Sequence, residues 1–264
     1  MGPPRPAGVP TQPSVLRLSS RLTWEEARDP LHADIDVNKT CGVGPGLPFA
    51  NAVRALDSTM GVVGLVPCAV GGTTIAEWAR GGKLYDQMVR RAGAAVREGG
   101  GGVVRAVLWY QGESDTVSQA DAESYRGNLE TLFSDFRDDL NSPALPIIQA
   151  CLIAFHVAIA SGMGPLVGTV REAQMEVRVP MVWTVDAMGL HLEADGLHLT
   201  TDAQVQLGKM LAQAFVKTTL QSPSPVVRYS NAAPNHKPFY GGGWVFGHLL
   251  LSAFVGIWRQ MSVS

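Results

Sequence analysis

Cysteine is scarce in this chain: three residues, Cys41, Cys68 and Cys151, among 264. They are widely spaced, form no C-x-x-C pair and join no Cys/His cluster. An odd, scattered set excludes a disulfide framework and a structural zinc site, and the thiols read as buried or incidental. An excess of either charge is also missing. With 21 Lys+Arg against 23 Asp+Glu, the formal net charge is −2. That excludes a bulk electrostatic partner such as a nucleic-acid backbone or an anionic membrane surface. A membrane-spanning helix needs about 20 apolar residues. The apolar run at 244–258 is shorter and is interrupted by Gly247, His248 and Gly256. It reads as a docked or loosely placed apolar helix, with membrane contact disfavoured. The start, Met1-Gly2-Pro3-Pro4-Arg5-Pro6, has no apolar core for a signal peptide, so a cytoplasmic location is the default expectation. Pro6 stands where a myristoylation signal takes Ser or Thr. Asn38-Lys39-Thr40 is a formal glycosylation sequon that carries little weight without a secretion signal.

Hydrophobic residues make up 46% of the sequence, enough to bury a sizeable core. Residues 1–13 are proline-rich and expected to be disordered. From residue 62 onward, short apolar runs alternate with helical patterns. Strand expectations fall at 62–66, 103–110, 145–149 and 182–185. Helix expectations fall at 84–96, at 122–140, where Tyr125, Leu129, Leu132, Phe133 and Phe136 share one face, and from Thr201, where Thr201 and Gln204 fit a capping box. Strand–helix–strand alternation implies an α/β fold with a mostly parallel sheet and helices on both faces. The stretch 145–160 is too long and apolar for one strand, so part of it should bulge or loop out. From residue 222 the composition turns Pro/Asn/Gly-rich. The resulting division is a disordered 1–13, one domain over 14–221, and a linker plus apolar segment over 222–264.

In open α/β sheets, ligands bind beyond the carboxyl ends of the strands. Three motifs fall there. Gly71-Gly72-Thr73 follows the first strand expectation, Gln111-Gly112-Glu113-Ser114-Asp115 follows the second, and Asp195-x-x-His198 precedes the last helix. An Asp three residues before a His can accept the imidazole Nδ1–H and leave Nε2 free as a base, although the same spacing also serves surface turns and caps. A glycine pair after a strand can aim backbone N–H groups at an oxyanion, or be only a turn. Gln111 could add its amide to the same oxyanion. Glu113 could position the loop or bind sugar hydroxyls. No Cys/His/carboxylate cluster calls for a metal, and no cofactor is expected. No P-loop or G-x-G-x-x-G leads into a helix, which counts against a flavodoxin-like nucleotide binder.

Taken together, Trp109-Tyr110-Gln111-Gly112-Glu113-Ser114-Asp115, Gly71-Gly72-Thr73 and Asp195-x-x-His198 resemble the SGNH-hydrolase superfamily. The nearest group is plant carbohydrate esterase family 6, with its sialate O-acetylesterase-like domain. Leu22-Thr23-Trp24-Glu25-Glu26-Ala27 and Val43-Gly44-Pro45-Gly46 resemble that group too. The resemblance runs over about 14–220, with a break near 150–156. It implies a three-layer α/β/α sandwich, flavodoxin-like in plan, and a cofactor-free serine esterase that removes acetyl groups from carbohydrate. On that pattern Asp195 and His198 are the catalytic acid and base, and Gly71 or Gly72 and Gln111 line the oxyanion hole. The family's nucleophilic serine lies in a Gly-Gln-Ser-Asn-Met segment after the first, central strand, and no segment of this sequence matches it. The sheet is therefore expected to lack its first central strand and to carry a vacant groove there, partly covered by the apolar segment from Trp244. Turnover is expected to be impaired, with a non-catalytic carbohydrate-binding or interaction protein as the alternative. Cys68 or Thr73 would be the substitute nucleophiles to consider.

Overall fold

In the computed structural model, residues 14–99, 102–152, 164–221 and 248–254 are described. The strands are β1 (Val15–Leu18), β2 (Trp24–Glu26), β3 (Val63–Pro67), β4 (Val104–Tyr110), β5 (Ile147–Cys151), β6 (Val182–Asp186) and β7 (His248–Phe254). The helices are α1 (Gly46–Leu56), α2 (Lys83–Glu98), α3 (Gln119–Asp139), α4 (Val167–Met175) and α5 (Thr201–Gln221). One seven-stranded sheet has the order β2-β1-β3-β7-β4-β5-β6. All its pairings are parallel except β1 with β2. β3 and β5 are buried along their whole length, and β4 over its last five residues, as strands covered on both faces must be.

The chain steps one way across the sheet from β3 to β4 to β5 to β6, through α2, α3 and α4. It then returns to the centre through α5. Right-handed crossovers therefore put α2–α4 on one face and α5 on the other. The packing agrees: α3 meets α4, while α1 packs along α5. Phe49 and Phe215 join that second layer edge to face, with ring centroids 5.9 Å apart. In the first layer, Trp109 is wedged edge-on between Trp78 at 5.3 Å and Phe133 at 6.1 Å.

Several sequence expectations meet corrections. The apolar C-terminal run, read as a helix, forms the strand β7. It lies between β3 and β4 and pairs with both, so no vacant groove separates them. The physical reason is the cost of leaving two rows of backbone N–H and C=O groups unpaired in the middle of a sheet. The expectation for 145–160 needs no correction, since it is not one unbroken strand: β5 ends at Cys151, Leu152 is outside it, and residues 153–160 lie outside those described. The cap of α5 is Thr200, whose hydroxyl accepts the Ala203 N–H at 3.2 Å, and not a Thr201–Gln204 box. Gln204 Oε1 is buried and has no partner among the described residues.

Arg91 on α2 ties the helix to the sheet. It is 1% exposed, and its guanidinium donates to the carbonyls of Pro67 (2.8 Å), Ser19 (3.0 Å) and Leu18 (2.6 Å). These carbonyls end β1 and β3. Arg91→Met would keep much of the volume but orphan three buried acceptors, each costing about 1–3 kcal/mol. Urea unfolding should show a loss on the order of 3 kcal/mol or more. A loss below 1 kcal/mol would mean that water replaces the guanidinium.

Candidate active site

A short hairpin between β6 and α5 presents Asp195 and His198. Leu192 and Leu199 form an antiparallel bridge, and Glu193 N–H donates to His198 O at 2.7 Å. The turn between them forms around the Asp195 carboxylate. Its Oδ1 accepts the backbone N–H groups of Leu197 (2.9 Å) and His198 (3.0 Å). Its Oδ2 lies 2.5 Å from His198 Nδ1. A carboxylate can only accept, so Nδ1 donates this bond, which selects the tautomer whose acceptor nitrogen, in the neutral ring, is Nε2. Nε2 is shielded from solvent and has no hydrogen-bond partner among the described residues. Burial pushes the Asp195 carboxyl upward, but the two N–H groups and the imidazole outweigh it and hold it below the usual carboxylate range. The charged acceptor that a histidine base requires is therefore maintained.

A second group of residues gathers over the carboxyl ends of β3 and β4. Gly72 adopts φ +76°, which suits a residue without a Cβ. The Gly71 N–H donates to the buried Asp36 carboxylate at 2.8 Å. Gln111 is fully buried. Its Nε2 donates to Thr73 O at 2.9 Å and to Asp115 Oδ2 at 2.6 Å. Both amide hydrogens are thus engaged, and in this arrangement Gln111 has none left for an oxyanion. Its carbonyl oxygens accept from Tyr125 and from Gln174 on α4. Asp115 also accepts the Ile75 N–H with both oxygens, at 3.0 and 3.1 Å, which pins the loop after β3 to the loop after β4. Gly112, at φ +138°, passes so close to this network that a Cβ would lie 2.9 Å from Gln174 Nε2 and 3.2 Å from the Tyr125 hydroxyl.

Glu113 is 7% exposed, which leaves little of it to a ligand arriving from solvent. Burial pushes its carboxyl up to about 7, with the nearby Asp115 charge adding to the shift. Burial likewise raises Asp115 to about 6 against the pull of its Ile75 and Gln111 donors. The substitute nucleophiles fare poorly. Cys68 is buried, its thiol pushed up to about 11 by desolvation. The Thr73 hydroxyl donates to Val70 O and accepts the Trp78 indole N–H, each at 3.0 Å. Neither hydrogen-bonds to His198.

The structure thus brings Gly71–Gly72, Gln111 and Glu113 together. Asp195 and His198 form a separate pair, and no hydrogen bond among the described residues links the two groups. Sequence reasoning missed Asp36 and Gln174, read Tyr125 only as part of an apolar helix face, and assigned no role to Asp115 although it lies in the Gln111–Asp115 motif. Among the described residues, no group of three or more His, Cys, Asp or Glu side chains could hold a metal ion. No helix among them is long and apolar enough to cross a membrane.

A doubly wound parallel sheet with an Asp-x-x-His hairpin before its last helix, and glycine and Gln-Gly-Glu loops at the same rim, defines an SGNH-type hydrolase sandwich. A family model described as carbohydrate esterase, sialic acid-specific acetylesterase, matches residues 4–217, and the chain belongs to that family. A protein named as a probable carbohydrate esterase of Arabidopsis thaliana is 55% identical over 204 residues, covering 77% of this chain and 75% of its own length. The X-ray structure of that Arabidopsis protein superposes with a TM-score of 0.71 at 53% identity, covering 78% of this chain and 82% of that one. A carbohydrate acetylesterase of Xanthomonas citri shares the fold, with a TM-score of 0.59 at 21% identity over 79% of this chain and 49% of its own.

Glu113 yields a pH test. Its folded-state pKa lies above the ordinary value near 4.3, so the folded protein holds a proton that the unfolded chain releases. That contribution is intact below about pH 4 and is lost as pH rises through about 7. Glu113→Gln mimics the neutral acid. It should flatten the decline in unfolding free energy between about pH 4.5 and 7, a term of up to about 3 kcal/mol. An unchanged slope would mean that Glu113 is solvated in the folded protein.

Proposed function

We propose that this chain is a carbohydrate O-acetylesterase by descent. In this reading it keeps the acid–base half of the machinery and binds acetylated sugar, but turns over acetyl esters poorly. The observation that carries the proposal is the Asp195–His198 pair. Nδ1 is held by a carboxylate and Nε2 is oriented as a base, yet no Ser, Thr or Cys side chain among the described residues hydrogen-bonds to it. Serine-type catalysis needs an oxygen or sulfur nucleophile at that nitrogen. Without one, the imidazole has no side-chain nucleophile to deprotonate.

The oxyanion side also differs from the simplest expectation. The Gly71 N–H is bound to Asp36, and the Gln111 amide is bound to Thr73 and Asp115. The N–H of Gly72, the glycine held at φ +76°, is the donor assigned to the acetyl carbonyl oxygen. Gln111 and Asp115 act as positioning residues that hold the Gly71–Thr73 turn. Family membership supports carbohydrate as the ligand class. The alternative, a non-catalytic carbohydrate-binding protein, rests on the same missing nucleophile. It differs in predicting no hydrolysis at all.

Hydrolysis of a generic acetyl ester by the purified chain should stay within about 10³–10⁴-fold of the uncatalysed rate, the residue left by binding and oxyanion donors alone. His198→Ala should lower that residual rate in the impaired-esterase reading and leave it unchanged in the binding-protein reading. Calorimetry with an O-acetylated sugar should detect binding in both. Robust turnover that vanishes in His198→Ala would overturn the impairment.

A further inference from the structure

The two halves of the sheet, β2-β1-β3 and β4-β5-β6, have no strand pairing with each other except through β7. β7 pairs in parallel with β3 from Val63↔His248 to Pro67↔Ser252, and with β4 from Val104↔Leu249 to Tyr110↔Phe254. The first half carries the Gly71–Gly72 turn. The second carries Gln111, Glu113 and the hairpin of Asp195 and His198. At the level of the sheet, β7 sets the register between the two parts of the candidate site. It lies outside the family match, which ends at residue 217.

We propose that the space between β3 and β4 is a seat for one parallel apolar strand, filled by the chain's own residues 248–254, which can be replaced in trans by a strand of the same sequence. Three observations carry this. First, His248-Leu249-Leu250-Leu251-Ser252-Ala253-Phe254 is a near-continuous apolar run, the composition that a central parallel strand requires. Second, the seat is two-sided, so an occupant satisfies backbone groups on both neighbours at once, whereas an edge position would satisfy one row. Third, β7 is not joined to the sheet by a short crossover. The 26 residues at 222–247 separate it from α5, where two to six commonly suffice in α/β units. Because it belongs to the same chain, β7 meets the seat as an intramolecular partner and outcompetes a second copy at ordinary protein concentrations. A strand that cannot pair leaves the seat to a free one.

The test uses the full chain and a synthetic peptide of residues 246–256. In the unmodified protein, amides of 248–254 and of the flanking β3 and β4 should exchange with solvent at least roughly a thousandfold more slowly than those of the free peptide. Leu250→Pro removes an N–H at the position that pairs with both Leu65 and Ala106. It should strip protection from 63–67 and 104–110 together. Peptide present during refolding of Leu250→Pro should restore that protection and co-elute with the protein one to one. Free-peptide exchange rates at 248–254 in the unmodified chain would overturn the proposal without any variant. So would undiminished protection in Leu250→Pro, or a peptide that restores nothing.

Discussion

The centre of the sheet is the constraint on which the rest depends. β3 and β4 each expose a row of backbone donors and acceptors toward the other, and neither pairs with the other. Buried backbone polar groups cannot be left unmatched without a cost comparable to a lost hydrogen bond for each. A strand must stand between them, and β7 does so with parallel pairing on both sides. The two-layer helix packing, with α1 and α5 on one face and α2–α4 on the other, covers a sheet that this strand makes continuous.

Across the top of that seam, side chains make a second junction. Asp115 and Gln111, both on the loop after β4, hold the Ile75 N–H and the Thr73 carbonyl of the loop after β3. All four groups are buried or nearly so, which strengthens each hydrogen bond and makes each costly to break. The same burial raises the Asp115 and Glu113 carboxyls toward neutrality. The rim is therefore stiffened by groups that first look like catalytic equipment. The Asp195–His198 pair is built differently. Its carboxylate is partly exposed, held by two backbone N–H groups, and stays charged. One rim thus contains a neutral-leaning structural network and a charged dyad, separated by their degree of solvation.

Local sequence patterns were informative wherever the signal was local. The period of apolar residues placed α2 and α3 within a few residues of their observed bounds. The compact apolar runs placed β3, β4 and β6 within one or two residues, and β5 with its start and end each two residues later. The Asp195-x-x-His198 pair was legible because three residues of one turn bring both side chains together. β1, β2, α1 and α4 were not legible. Val15–Leu18 and Trp24–Glu26 are only four and three residues long, too short for a periodicity to emerge. The run at 248–254 was apolar at nearly every position, and such a run does not distinguish a buried helix from a central strand.

By itself, the sequence determined the α/β alternation, the placement of three motifs at strand ends, and the resemblance that the family match supports. These follow from short-range spacing and composition, which any segment carries with it. Only the tertiary structure decided what those residues have left to offer. Gln111, read as an oxyanion donor, has both amide hydrogens taken by Thr73, 38 residues before it, and by Asp115. Gly71 gives its N–H to Asp36, 35 residues upstream. The apolar tail became the central strand because partners far upstream in the chain had backbone groups to satisfy. A donor's availability and a strand's neighbours are properties of the folded contact set, and no local pattern encodes them.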